Sequence, residues 1–355
     1  MSLALGIAGY SGAGKTTLIE ALLPRLAARG LRVGVIKHDA HKLTLDREGK
    51  DTARFFAAGA AVVCAHDPGQ HFVRTRAEGP SLPSEMLVGL PADLDFVLVE
   101  GHKDAPLPKL VLDHRDGRPA IEGKEVLAAL PWGDLEERVG EAERLVVAWL
   151  EAAWAERPVG VVVLVGGKSR RMGVSKALLD YQGRPLLTTL VERLNAVTDR
   201  LVLAGEGPIP AGLCREIPRF PDAPCARGPM AGLLAVMRHD PSRAWLAVGC
   251  DQPEIGSDHA RWLMGERRPG VWAVMPQLPD RSQPEPLGAM YEPPMRAVLE
   301  RACARGHHAL FRIGLDAPNA TPTPPAALRR GWLNANTPDD WKALTGSKPT
   351  PGGRW

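Results

Sequence analysis

The run Gly9-Tyr10-Ser11-Gly12-Ala13-Gly14-Lys15-Thr16-Thr17 constrains this chain more than any other stretch. It matches G-x-x-x-x-G-K-[ST] and lies between an apolar run and an amphipathic one. Leu3 to Ala8 reads as a buried first strand, and Leu18, Ile19, Leu22, Leu23 and Leu26 recur at helical spacing beyond the loop. Strand, glycine loop and helix in that order turn backbone N–H groups toward phosphate oxygens, and the helix N-terminus adds partial positive charge. Gly9, Gly12, Ala13, Gly14, Lys15, Thr16 and Thr17 are therefore candidate nucleotide contacts, with Lys15 reaching the outer phosphates and Thr16 placed for magnesium. Pro24 falls inside the helix and predicts a kink.

At 355 residues the chain exceeds the size at which a single core usually stops growing, so two domains are expected. One seam is visible. Asp134 to Glu156 reads as a charged amphipathic helix that stops at Arg157-Pro158, and a β-branched run, Val159 to Val165, starts at once. The expected division is a first domain over 1–156, a second over 157–346 and a flexible tail over 347–355. The linker is short, so the domains should be neighbours for which a weak interface suffices. Pro318 to Pro325 reads as an irregular excursion.

Composition excludes several classes. A net charge of +3 is too small for a nucleic-acid partner. No apolar run is long enough to span a bilayer, and a strand begins too early for a secretion signal, so a cytoplasmic protein is expected. The five cysteines form no C-x-x-C pair, which argues for reduced thiols over a disulfide framework or a zinc site.

In the first domain, Leu31 to Ile36 makes a second strand ending at Lys37-His38-Asp39-Ala40-His41, and Leu94 to Val99 a third ending at Glu100-Gly101-His102. In an open parallel sheet these polar tips converge on the glycine loop. Glu100 is placed to hold magnesium through water; His38, Asp39 and His41 read equally well as metal candidates or as a polar rim. The segments Gly6 to Thr17, Val35-Ile36-Lys37-His38, Gly49-Lys50-Asp51-Thr52 and Leu98-Val99-Glu100-Gly101 together resemble MobB, the molybdopterin-guanine dinucleotide biosynthesis protein B family, as far as about Asp113. The resemblance implies a GTP-binding, weakly hydrolytic P-loop domain that often forms a homodimer and assists a partner enzyme. His102, where the family pattern has an aromatic such as Phe, and Asp39 depart from it.

The second domain opens with a strand running into Gly166-Gly167-Lys168-Ser169-Arg170-Arg171-Met172-Gly173, with Lys176 beyond. Paired glycines let backbone approach a ligand, while Arg170, Arg171 and Lys176 supply positive charge for a triphosphate. Trp245 to Cys250 forms another strand that ends at Asp251, a carboxylate suited to magnesium. Between them lie Phe220-Pro221-Asp222 and Gly228-Pro229-Met230-Ala231-Gly232, whose glycines could admit a base or ribose.

With Leu333-Asn334-Ala335-Asn336-Thr337-Pro338, these pieces resemble MobA, the molybdenum cofactor guanylyltransferase family, from Val159 to Leu344. The resemblance implies GTP contacts at Leu164, Val165, Gly166, Gly167, Lys176, Asp222 and Asp251, with Asp251 carrying magnesium. Arg171, Lys176 and Asp251 would form the catalytic set, and Asn334 and Asn336 would line the pterin site. Val165 for the usual Ala, Ser175 for Asp and Ala204-Gly205 for an Asn depart from the pattern.

The expected protein is thus α/β throughout: a P-loop NTPase domain followed by a Rossmann-like nucleotidyltransferase domain. It would join GTP to molybdopterin with Mg2+, and molybdoenzymes and cofactor-insertion proteins would be its partners. A cytosine-dinucleotide or sugar-phosphate nucleotidyltransferase and a non-catalytic GTP-dependent carrier or adaptor are the alternatives.

Overall fold

A computed structural model describes residues 3–37, 50–76, 82–116, 123, 125–166 and 175–350. The first half runs β1 (Leu3–Gly9), α1 (Lys15–Ala28), β2 (Val33–Lys37), α2 (Asp51–Ala57), β3 (Val62–His66), β4 (His71–Thr75), α3 (Pro83–Val88), β5 (Phe96–Glu100), β6 (Lys109–Leu112), β7 (Val126–Leu130) and α4 (Leu135–Glu156). Five of these strands form one sheet in the order β2-β5-β1-β6-β7, every pairing parallel. Parallel strands must be covered on both faces, and β5 and β6 are buried throughout. One face packs Leu5, Ile7, Phe96 and Leu98 against Leu18 and Leu22 of α1 and Val146 and Trp154 of α4. The other is thinly covered, with Leu87 of α3 over Val97 and Val99. β3 and β4 form a separate antiparallel hairpin that the apolar patterning did not reveal.

Two local details set the first loop. Gly14 caps α1 at φ +83°, a conformation that costs L-residues about 1 kcal/mol or more. Helix α1 continues through Pro24 as one segment from Lys15 to Ala28. Asp134 caps α4, accepting from the Glu137 N–H at 3.1 Å.

The second half continues β8 (Val159–Leu164), β9 (Asp180–Tyr181), β10 (Arg184–Pro185), α5 (Leu186–Asn195), β11 (Arg200–Ala204), α6 (Leu213–Glu216), β12 (Arg219–Phe220), α7 (Pro229–His239), β13 (Ala244–Gly249), α8 (Ser257–Gly265), β14 (Ala273–Val274), β15 (Ala289–Tyr291), α9 (Met295–Ala304), α10 (Leu310–Asp316), β16 (Asn319–Ala320) and α11 (Pro338–Thr345). Its main sheet has the order β12-β11-β8-β13-β15-β14-β16. β12, β11, β8 and β13 are parallel, and β15 runs antiparallel to both β13 and β14. Alternate residues of β8 face opposite ways: Val161 and Val163 join Leu190 of α5 and Leu263 of α8, while Val162 joins Leu233 of α7 and Leu299 of α9.

Three expectations need correcting. Pro318 to Pro325 is not wholly irregular, because Asn319–Ala320 pairs with β14 as the edge strand β16. The tail is tied back as far as Thr350, whose carbonyl accepts from the Asp180 N–H at 3.0 Å. Cys225 and Cys303 are not separate thiols but are brought side by side, with Cα atoms 6.0 Å apart, within the span a disulfide bridges. The loop before α7 meets α9 only through tertiary packing, so nothing in the cysteine spacing announces the pair.

The seam between the halves is a built polar contact. Asp95, immediately before β5, accepts from Trp272 Nε1 at 2.8 Å, Gly270 N at 3.2 Å and Arg32 N at 2.7 Å. Burial pushes its carboxyl above the ordinary range, against the pull of those donors. Glu292, 1% exposed, bonds Arg267 Nε at 2.6 Å and Arg157 Nη1 at 3.3 Å, and Arg267 Nη2 reaches the Trp154 carbonyl at 3.3 Å. Buried ion clusters add little net stability, since desolvation offsets attraction, but they tolerate one geometry only. Asp95→Ala should therefore cost about 3 kcal/mol, because three N–H donors lose their acceptor. A urea midpoint unchanged from the parent chain would contradict that role for the seam.

Candidate nucleotide sites

In the first half, the glycine loop lies between β1 and α1. Lys15 Nζ donates to the Gly9 and Tyr10 carbonyls at 3.1 and 2.8 Å, folding the lysine over the loop. Burial lowers its pKa, with Glu100 opposing and Lys37 adding to the shift. Thr16 Oγ1 donates to Glu100 Oε1 at 2.8 Å, so the two candidate magnesium ligands meet across β1 and β5. Ala13 is fully buried and Gly12 turns at φ +81°. Thr17 is exposed on the first turn of α1. Beyond Glu100, Gly101 and His102 are both left-handed, at φ +88° and +47°. The residue that departs from the family pattern thus occupies a turn conformation uncommon for a side-chain-bearing residue. His38, Asp39 and His41 lie outside the described residues.

In the second half, Leu164, Gly166, Lys176, Asp222 and Asp251 line one pocket of about 450 Å³, together with Ala204, Gly205, Gly228, Gly232 and Leu287. Small residues make that space. A Cβ on Gly232 would stand 2.6 Å from Leu164 Cδ2 and 3.0 Å from Ala204 Cβ. Val165 is buried and not among the lining residues; its N–H donates to the Ala204 carbonyl at 2.7 Å and its own carbonyl accepts from Gly207 N at 2.8 Å. Val165 therefore shapes the loop and does not present its side chain to the pocket. Gly167 and Arg171 lie outside the described residues.

Lys176 is the hub of the polar groups. Its Nζ lies 3.1 Å from Asp251 Oδ2 and 2.7 Å from Asn336 Oδ1. The Ala335 N–H donates to the Asp251 carbonyl at 2.8 Å, which brings the Asn334–Asn336 segment to the tip of β13. Asn336 is thus placed on Lys176; Asn334, half-buried on the same segment, is not among the pocket's lining residues. Burial raises the Asp222 carboxyl, Glu206 adds to the shift, and Arg219 opposes it. Cys250 lies in the same wall, but burial pushes its thiol up to about 12, which removes it as a nucleophile near neutral pH.

No group of three or more His, Cys, Asp or Glu among the described residues is placed to hold a metal. Both loops nevertheless fit magnesium, which takes one or two protein ligands and completes its shell with phosphates and water. Thr16 with Glu100 is one such set and Asp251 the other. Among the described residues no helix is long and apolar enough to cross a membrane.

Sequence reading missed the groups around the first loop on its β6 and β7 side: His114, Trp132 and Arg138. His114 and Trp132 lie just beyond the ends of β6 and β7, strands that the apolar pattern does not announce, and Arg138 lies in the first turn of α4, where an arginine carries no motif.

Comparison with known proteins assigns a family to each half. Residues 4–130 match the family described as molybdopterin guanine dinucleotide synthesis protein B, and residues 161–320 match the MobA-like NTP transferase domain. A molybdopterin-guanine dinucleotide biosynthesis adapter protein of Haemophilus influenzae is 42% identical over 36% of this chain and 72% of its own length. A probable molybdenum cofactor guanylyltransferase of Deinococcus radiodurans is 33% identical over 53% of this chain and 95% of its own. A molybdenum cofactor biosynthesis bifunctional protein of Synechocystis sp. is 31% identical over 45% of this chain and 46% of its own. The chain belongs to the molybdopterin-guanine dinucleotide biosynthesis adapter family through its first half and to the molybdenum cofactor guanylyltransferase family through its second.

Proposed function

We propose that the second half joins GTP to molybdenum-bound molybdopterin, giving the guanine dinucleotide cofactor and diphosphate. The observation that carries this reading is the meeting of Lys176, Asp251 and Asn336 at one rim of the glycine-walled pocket. An oxygen of the pterin's terminal phosphate attacks the α-phosphorus of GTP, the bond from that phosphorus to the bridging oxygen breaks, and diphosphate departs with the electron pair. Such a displacement needs positioning and charge stabilisation, not a protein nucleophile.

Lys176 neutralises charge that moves to the leaving diphosphate, and Asn336 fixes the ammonium for that task. Arg171 would share it. Asp251 is the residue that would hold magnesium, which when bound supplies charge neutralisation on the phosphates. Asn334 and Asn336 would face the pterin. Asp222, as a carboxylate, can accept from both the ring N–H and the amino group of guanine, whereas cytosine offers only an amino group. That favours guanine over the cytosine alternative.

The first half would bind and slowly hydrolyse GTP, with Thr16 and Glu100 holding magnesium, and would serve delivery of the product to molybdoenzymes and cofactor-insertion proteins. Helix α2 and the β3–β4 hairpin expose Phe55 (59%), Val62 (55%) and Val73 (57%), which supports a homodimer formed through this domain.

Diphosphate release from GTP plus molybdopterin tests the assignment of labour. Asp251→Asn should lower turnover by roughly two to three orders of magnitude. Lys15→Ala should remove nucleotide binding by the first half and leave transfer largely intact. Near-normal turnover in Asp251→Asn, transfer abolished in a folded Lys15→Ala chain, or CTP used as well as GTP would each contradict the proposal. Sedimentation checks the dimer: charge introduced by Val62→Lys with Val73→Glu should yield monomers, and a parent chain already monomeric at high concentration would rule the dimer out.

A further inference from the structure

We infer that Trp132 is a stacking platform for the purine base of the nucleotide whose phosphates sit on the first loop, a reading that rests on that loop being a nucleotide site. The sheet order gives the two flanks of the loop different chemistry. On the β5 and β2 flank the strand tips end in Glu100 and Lys37, charged groups suited to phosphates and a cation. On the opposite flank the tips of β6 and β7 lead into His114 and Trp132, and Arg138 projects from the first turn of α4.

These groups abut the loop itself. His114 Nε2 lies 3.5 Å from where a Cβ on Gly12 would stand, and the edge of the Trp132 ring lies 3.9 Å from the same point on Gly14. Trp132 is 47% exposed, while Trp154 of the same domain is buried in the core. An indole left half in water beside a phosphate loop is not filling a core. It is also held. The Arg138 guanidinium carbon is 5.2 Å from its ring centroid, and Arg138 Nη2 donates to the Ala13 carbonyl at 3.3 Å.

Arg138 is itself 7% exposed, so one buried cation fixes loop and indole in a single geometry. With phosphates at the N-terminus of α1, the rest of a nucleotide must lie over the carboxyl ends of the strands. The aromatic flank, whose Arg138 cation is already engaged by the Ala13 carbonyl and the indole, is the one that suits a base. Stacking on an indole depends on the π-face and not on edge groups, so the platform takes purines in general and leaves phosphate binding to the loop.

The test separates base from phosphate in the full-length chain. Equilibrium binding of GTP and of inorganic tripolyphosphate is measured at the site that Lys15→Ala removes. Trp132→Ala should weaken GTP binding about tenfold to a hundredfold while tripolyphosphate binding is unchanged. Trp132→Phe should restore most of the GTP affinity. Equal loss of both ligands would make Trp132 a support for the loop only, and undiminished GTP binding would remove it from the site; either overturns the inference. Photolabelling of the parent chain with 8-azido-GTP needs no variant: label on the peptide carrying Trp132 supports the platform, and first-domain label that omits that peptide contradicts it. Failure of Lys15→Ala to remove any GTP site would instead overturn the reading of the loop, a distinguishable result.

Discussion

The contact between Lys176 and Asp251 is the point on which the second half depends. One ammonium joins three segments far apart in sequence: the turn after the glycine loop, the tip of β13 and the Asn336 loop. Each arrives there for a separate reason. β13 is a central strand, buried along its whole length and paired with β8 and β15, so its end is fixed by the core. The Asn336 loop is fixed by the Ala335 N–H bond to the Asp251 carbonyl and by the Thr337 cap of α11. Lys176 is then presented between two oxygen atoms already in place. Preorganisation of this kind lets electrostatic groups act on a transferring phosphoryl group without reorganising during the reaction.

The seam between the halves explains how two such sites can share one chain. Asp95, Arg157, Glu292 and Arg267 are charged groups removed from water, and their mutual attraction does little more than offset that removal. Their contribution is orientation. A weak apolar contact would let the halves slide, whereas a carboxylate bound by Trp272, Gly270 and Arg32 at once admits one arrangement. The seam therefore holds more than the short linker at Arg157 had suggested.

Much of the fold was legible in residues whose chemistry is local. The first loop, the Asp134-capped helix, the β-branched strand β8 and the carboxylates Glu100 and Asp251 announce themselves through pattern and position. What stayed hidden depends on tertiary contact. The β3–β4 hairpin is largely exposed and has no strong apolar alternation. The two-residue strand β16 exists only because β14 offers it an edge. Trp132 and Arg138 carry no motif, and their relation to the loop appears only once β7 lies beside β6. At the second site, the family resemblance implied a GTP contact at Val165. The register with β11 turns its backbone to Ala204 and its side chain into the core.

The central claim is that the pocket around Lys176 and Asp251 makes a phosphoanhydride between a nucleotide and a pterin phosphate. Mass analysis of the product formed from purified molybdopterin cofactor and GTP labelled at the α-phosphorus tests this most directly. The account predicts a pterin product heavier by one guanylyl unit and carrying the label, with unlabelled diphosphate released in equal amount. Label recovered only in GTP, GDP or inorganic phosphate, with the pterin unchanged, would contradict it.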